Sequence, residues 1–116
     1  MPTKAERLAM RRRAVETMVN DLERGKKVHA RVGGHLVETL GQEIAMQRAK
    51  LDDLEWAEGR TNAEIQARID EIAATLSPEV LACKYGNVRG LTLEEVKAIS
   101  RIENLEVVLG THPGVR

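Results

Sequence analysis

A chain of 116 residues has room for one domain or two very small ones. It contains no Phe, one Trp and one Tyr, so any core must be aliphatic, and its single Cys excludes an intrachain disulfide and a cysteine-based metal cluster. The formal charge is zero, but residues 1–33 carry nine Lys or Arg against four acids, and residues 38–79 carry four against ten. This distribution favours head-to-tail contact between subunits or an acidic partner, unless the two halves neutralise each other inside the fold.

Five helices are predicted along the chain, over about 4–24, 40–58, 62–76, 78–85 and 93–109, from apolar spacing and from local start and stop signals. The start signals are Ser or Thr N-caps, most of them followed three residues later by Glu or Gln. The stop signals are glycines, which tolerate a left-handed backbone. The starts lie at Thr3/Glu6, Thr39/Gln42, Thr61/Glu64, Ser77-Pro78 and Thr92/Glu95, and the stops at Gly25, Gly59, Gly86 and Gly110.

The segment Gly25–Gly41, between the first two helices, has two interpretations. Its alternating apolar and polar residues predict a two-stranded β-hairpin with the pair Gly33-Gly34 at the tip. A continuous helix is the alternative, because apolar residues recur every four positions from Val28 to Ile44. That helix would hold two adjacent glycines in its interior, at a cost of roughly 2 kcal/mol relative to alanine. The hairpin is therefore the favoured prediction.

The predicted fold is mainly α. A helix–β-hairpin–helix unit spans 1–58 and a small helical unit of about three helices spans 60–116, with the question of one shared core left open. No apolar run approaches the roughly 20 residues of a membrane span. The N-terminus lacks the apolar core of a signal peptide. We therefore expect a soluble intracellular protein, or part of a particle assembled in the cell, with no membrane contact.

Residues 5–58 resemble the lambda-type phage head-to-tail joining protein (protein W) family, whose fold is helix, two-stranded hairpin, helix. The resemblance covers under half of the chain, and residues 60–116 have no counterpart in it. It implies a connector that acts in several copies between a portal ring and the tail-attachment proteins, in the host cytoplasm or the virion. It is carried by Asp21-Leu22-Glu23-Arg24-Gly25-Lys26-Lys27-Val28, Gly34, Val37-Glu38, Ile44, Leu51, Leu54 and Glu55.

Two basic clusters are the candidate contact residues, one in the first helix and one at the hairpin. Their functional interpretation is contact with DNA phosphate or an acidic ring surface, and the alternative is a solvated helix face. Three consecutive arginines span about 200° of a helix, so they cannot all face one surface. The clusters are Arg11, Arg12 and Arg13, beside Lys4 and Arg7, and then Lys26, Lys27 and Arg31.

No residue is predicted to be catalytic, to bind a cofactor or to hold a metal, and Asp52, Asp53 and Glu55 are interpreted as a solvated face. We therefore expect a non-enzymatic assembly or connector protein that forms homo-oligomers and docks on a larger assembly such as a portal ring. One alternative is a small DNA-associated regulator that uses the basic first helix. Another is a phage-type inhibitor that binds a host protein.

Overall fold

The computed structural model describes residues 2–29 and 35–115, and the side chains of these except 27–29, 35–38 and 115. The described residues form five α-helices and a final 3-10 turn, so the predicted helical character is confirmed. The elements are α1 (Lys4–His29), α2 (His35–Ala57), α3 (Asn62–Ala73), α4 (Pro78–Leu81), α5 (Leu93–Leu109) and the 3-10 turn Pro113–Val115.

The predicted β-hairpin is wrong, because both of its arms are helical where the structure describes them. α1 continues through Gly25 to His29, and α2 begins at His35, before the predicted N-cap Thr39. The predicted tip, Gly33-Gly34, lies outside the described residues. A lone hairpin is marginally stable in water, whereas the two long helices pack along each other. One helical glycine costs about 1 kcal/mol, which this packing offsets.

Local capping signals set most of the other helix ends as predicted. Thr61 and Thr92 each form a complete capping box, and the hydroxyl of Ser77 accepts a hydrogen bond from Val80 N–H. Gly110 ends α5 in the left-handed conformation, with φ of +80°. The predicted end of the fourth helix near Gly86 is wrong, because α4 ends at Leu81. Tyr85 takes the left-handed conformation in the turn that follows, with φ of +67°.

α1 and α2 form an antiparallel pair that elongates the molecule. Arg12 near the start of α1 pairs with Glu55 and Glu58 at the end of α2, and Glu23 near the end of α1 pairs with Arg48. The overall extents are 46 × 32 × 23 Å. The pairs made by Arg12 join the basic N-terminal stretch to the acidic middle of the chain, so part of the charge asymmetry is neutralised inside the fold.

α5 is the central helix, since it packs against α1, α2 and α3. One aliphatic cluster forms the core, and both predicted units contribute to it. Its buried members from the first unit are Val15, Val19, Leu54 and Ala57, and those from the second are Ile65, Ile69, Ile72, Ile102, Leu105 and Val108.

Candidate interaction surface

The three consecutive arginines of α1 point in three directions, as their helical spacing requires. Arg11 is half-buried, and its Nε donates to Asn104 Oδ1 of α5 at 2.8 Å. Arg12 turns toward α2, where it pairs with Glu58 at 3.0 Å. Arg13 is exposed. The structure therefore does not gather this cluster into one basic patch.

The second predicted basic cluster is described only in part. Lys26 lies near the end of α1 and is exposed. Lys27 belongs to the same helix, but its side chain lies outside the described residues, and Arg31 lies outside them altogether. Lys26 therefore lies on a helix, whereas the prediction placed this cluster at a β-hairpin.

Two further basic residues of α1 donate hydrogen bonds to backbone carbonyls elsewhere in the fold. Arg7 donates from Nε to Val108 O at 3.0 Å and from Nη2 to Leu109 O at 3.3 Å, at the C-terminal end of α5. Lys4 Nζ donates to Arg60 O at 2.8 Å, just after α2 ends. A cation at a helix C-terminus satisfies free carbonyls and opposes the helix dipole, and Arg7 does so at the end of α5. Lys4 binds the turn that follows α2.

Asp53 forms a buried ionic centre between α2, α3 and α5. Its carboxylate, with 0% exposure, accepts from Arg68 Nε at 2.9 Å and from Arg101 Nε at 2.7 Å and Nη2 at 2.9 Å. The guanidinium of Arg68 also lies 4.4 Å from the centre of the Trp56 ring. The interpretation of Asp53 as part of a solvated face is therefore wrong. Its partners, 15 and 48 residues away, leave no local signal.

A second polar cluster lies between α1, α2 and α5. Asn104 accepts from Arg11 and donates to the backbone carbonyl of Lys50 at 3.2 Å. Burial lowers the pKa of Arg11, an effect that Glu103 opposes. Burial and the neighbouring Arg11 lower the pKa of Lys50, while Glu43 and Glu103 raise it. The surroundings of Lys50 therefore disfavour the charged form of its side chain.

Tyr85 and its neighbours fix the loop before α5 onto the end of that helix. Its hydroxyl donates to Glu106 Oε1 at 2.5 Å, and Lys84 Nζ donates to Glu106 Oε2 at 3.1 Å. Burial and the hydrogen bond to Glu106 raise the pKa of Tyr85. The ring of His112 packs edge-on against the Tyr85 ring at 5.0 Å, so the chain after α5 folds back over this cluster. These groups bind one another, and their role is to hold the loop before α5 and the chain after it against that helix.

The outward side of α1 carries an exposed apolar row, which we call the methionine stripe: Met10, Ala14 and Met18. The three residues are spaced by four, so they share one side of the helix. Met10 is 63% exposed and Met18 is 46% exposed. They are two of only four large apolar side chains classed as exposed among the described residues, the others being Tyr85 and Leu93.

Several grooves indent the described surface, among them the following two. One lies between α3 and α5, has a volume of about 600 Å³, and mixes Arg68, Arg101 and Lys97 with glutamates. The other, which we call the alanine groove, lies between the start of α1 and the turn from α2 to α3, and its volume is about 540 Å³. Its lining is Lys4, Ala5, Leu8, Ala9, Arg12, Ala57, Glu58, Gly59, Arg60, Thr61 and Val108.

Within the described part of the chain, no group of three His, Cys, Asp or Glu side chains is arranged to hold a metal ion. No helix in the same residues is long and apolar enough to cross a membrane. Comparison with known protein families, with curated proteins and with solved structures gives no match to the chain. The helix–hairpin–helix fold implied for residues 5–58 by the resemblance differs from the observed α1–α2 pair.

Proposed function

We propose that the chain is a non-enzymatic assembly protein that associates with a second copy of itself through the methionine stripe. The observation that carries the proposal is the exposure of Met10 and Met18 on one side of a long helix. Methionine is flexible and polarisable, and it is common at adaptable binding surfaces. The spacing by four is that of a helix-to-helix contact, rather than of isolated surface apolar residues.

Much of α1 is occupied by contacts within the fold, and the methionine stripe lies away from those contacts. Val15 and Val19 are buried in the core, Arg7 and Arg11 bind α5, and Arg12 binds α2. The outward side of α1 is therefore free of these contacts and can serve an assembly role.

The charges on α1 favour an antiparallel contact between the two copies. Glu6 lies in the first turn, and Lys26 lies near the other end of the helix. A parallel contact brings like charges together at both ends, whereas an antiparallel one brings opposite charges together. With Ala14 near the two-fold axis, Met10 of one copy lies beside Met18 of the other, as an isologous interface requires.

The narrower hypothesis of a phage head–tail joining component depended on the hairpin, so it is not carried forward in that form. The DNA-associated alternative is also weakened, because Arg7, Arg11 and Arg12 already bind groups of the protein. A protein that makes few phosphate contacts binds DNA weakly, and its affinity depends only shallowly on the salt concentration. An inhibitor of a host protein would use the same stripe for a different partner.

The test is native mass spectrometry and light scattering on the wild type and on three variants. Met10→Lys with Met18→Lys is expected to weaken self-association about 100-fold or more, because each buried Met contributes about 1.5–3 kcal/mol. Met10→Lys with Met18→Glu is expected to keep the dimer, because the antiparallel contact sets the introduced lysine of one copy against the introduced glutamate of the other. Ala67→Lys, on an exposed position of α3, is the control and should behave as the wild type.

Circular dichroism of each variant verifies that the helices are retained. A wild type that stays monomeric at millimolar concentration would overturn the proposal and favour the inhibitor hypothesis. A dimer that survives the double lysine variant would place the interface elsewhere. Tight duplex DNA binding by the monomer at physiological salt would favour the regulator.

A further inference from the structure

We propose that the alanine groove binds a small amphiphile with an anionic head, its apolar body lying on the groove floor and its head on Lys4. This inference does not rest on the assembly role. The groove faces a different side of α1 from the methionine stripe, since it is lined by Ala5 and Ala9 rather than Met10 and Ala14.

The floor of the groove is apolar and lies over the core. Ala57 and Val108 lie beneath it, with exposures of 2% and 0%. The apolar surface open to a ligand is therefore that of Ala5, Leu8 and Ala9. Ala5 and Ala9 of α1 contribute only methyl groups, so the space between the helices stays open. A volume of about 540 Å³ lies within the usual range of small-ligand sites, about 300–1,000 Å³. The floor suits an alkyl or similar apolar body.

The charged groups at the rim differ in what they already bind. Arg12 pairs with Glu58 at 3.0 Å, and Arg60 pairs with Glu64 at 3.3 Å. Lys4 Nζ donates to the backbone carbonyl of Arg60, and among the described residues no carboxylate lies within salt-bridge distance of it.

An ammonium has three N–H donors, so Lys4 keeps two for a ligand. It is the rim cation whose charge is not matched by an acid. A carboxylate or similar anionic head at the mouth of the groove would balance the charge of Lys4 and accept a charge-assisted hydrogen bond from its ammonium group. A cationic head would instead meet Lys4, Arg12 and Arg60 together. The groove therefore selects for the sign of the head group as well as for an apolar body.

The test compares three ten-carbon probes below their micellar concentrations: decanoate, decanol and decyltrimethylammonium. Isothermal titration calorimetry gives the affinity and stoichiometry. Trp56, the only tryptophan, gives a second signal, because its ring lies 5.0 Å from the guanidinium of Arg60 at the rim. Decanoate should bind one to one and at least about tenfold more tightly than decanol, as expected for one charge-assisted hydrogen bond. Decyltrimethylammonium should not bind.

Two variants test separately the contact with the anionic head and the space for the apolar body. Lys4→Met should remove the preference for decanoate over decanol, because the anionic head loses its charge-assisted hydrogen bond. Ala9→Leu fills the groove and should abolish binding of both, while Ala67→Leu on α3 should bind both as the wild type does. Thermal unfolding of each variant verifies that it is folded.

Equal binding of the anionic and cationic probes would overturn the proposal, as would wild-type decanoate binding by Ala9→Leu. Saturable decanoate binding by the Met10→Lys, Met18→Lys variant would support it independently of the assembly role. Absence of decanoate binding to the wild type, together with capture of a peptide segment in the groove, would replace the amphiphile by a protein partner.

Discussion

Asp53 is fully buried and accepts hydrogen bonds from two arginines that belong to different helices. Removing its charge leaves both guanidiniums partly buried without a counter-charge, so Asp53→Asn should lower the free energy of unfolding by about 3 kcal/mol or more. Urea unfolding measures the change. The neighbouring Asp52 is exposed, and Asp52→Asn should stay within about 0.5 kcal/mol of the wild type. Equal losses in the two variants would contradict the ionic centre.

Lys50 presents the opposite case, a buried charge that the fold disfavours. Burial and Arg11 lower its folded pKa below the ordinary 10.5, so the unfolded chain binds the proton more tightly. The resulting penalty is fully present below the folded pKa and disappears as the pH rises through 10.5. Lys50→Met should therefore raise the free energy of unfolding by about 1 kcal/mol at pH 7.

Urea titrations at pH 7 and near pH 10.5 measure this gain, which should shrink at the higher pH. The control is Lys26→Met, since Lys26 is exposed near the end of α1. It should change stability by less than about 0.5 kcal/mol at either pH. A loss of stability in Lys50→Met would mean that the charge of Lys50 stabilises the fold.

Neither of these residues stands out in the sequence. Polar positions on a helix are ordinarily exposed, and nothing adjacent to Asp53 or Lys50 shows that α5 will cover them. Burial is decided by which helix packs where, and the relevant partners, Arg101 and Asn104, are 48 and 54 residues away. Local pattern therefore misses the buried polar centres.

At the scale of elements, local chemistry predicts where the three helices of the second half begin, whereas α3 and α4 end earlier than predicted. The N-cap Thr92 and its partner Glu95 are three residues apart, so the whole signal for the start of α5 lies within one turn. The same kind of signal fails at Gly25 and Thr39, where packing between α1 and α2 extends both helices past it. Long-range packing of two amphipathic faces outweighs one weak local stop.

This correction predicts opposite effects of two glycine substitutions. Gly25 is helical and a Cβ added there meets nothing within 4 Å, so Gly25→Ala should raise stability by about 0.5–1 kcal/mol. Gly110 has φ of +80°, and an added Cβ would lie 3.1 Å from Arg7 Cζ, so Gly110→Ala should lower stability by about 1 kcal/mol or more. Urea unfolding compares the two. A loss of stability in Gly25→Ala would indicate that Gly25 is not helical, and it would support the predicted helix end at that residue.

At the scale of the whole molecule, the first and last helices are tied together. Arg7 reaches residues more than 100 positions away at the end of α5, and Arg11 reaches Asn104. The core cluster mixes Val15 and Leu54 with Ile102 and Leu105. The predicted boundary between the units 1–58 and 60–116 falls in the turn that joins α2 to α3.

A shared core predicts a single cooperative unfolding transition for the full chain. The calorimetric and van't Hoff enthalpies should agree, and the Trp56 fluorescence and helical circular dichroism curves should coincide. The enthalpy expected near 60 °C is about 0.7 kcal/mol per residue. The measurement uses the Met10→Lys, Met18→Lys variant, so that association does not couple to unfolding.

The matched experiment is a fragment that ends after residue 58. It lacks α5, so the inner sides of α1 and α2 lose the aliphatic residues that cover Val15 and Leu54. Hydrogen exchange of its amides should show little protection, in contrast to the full chain, where protection in α1 and α5 should be lost together. Two separate transitions in the full chain, or a well-protected fragment, would mean that residues 1–58 form a unit whose stability does not depend on α5.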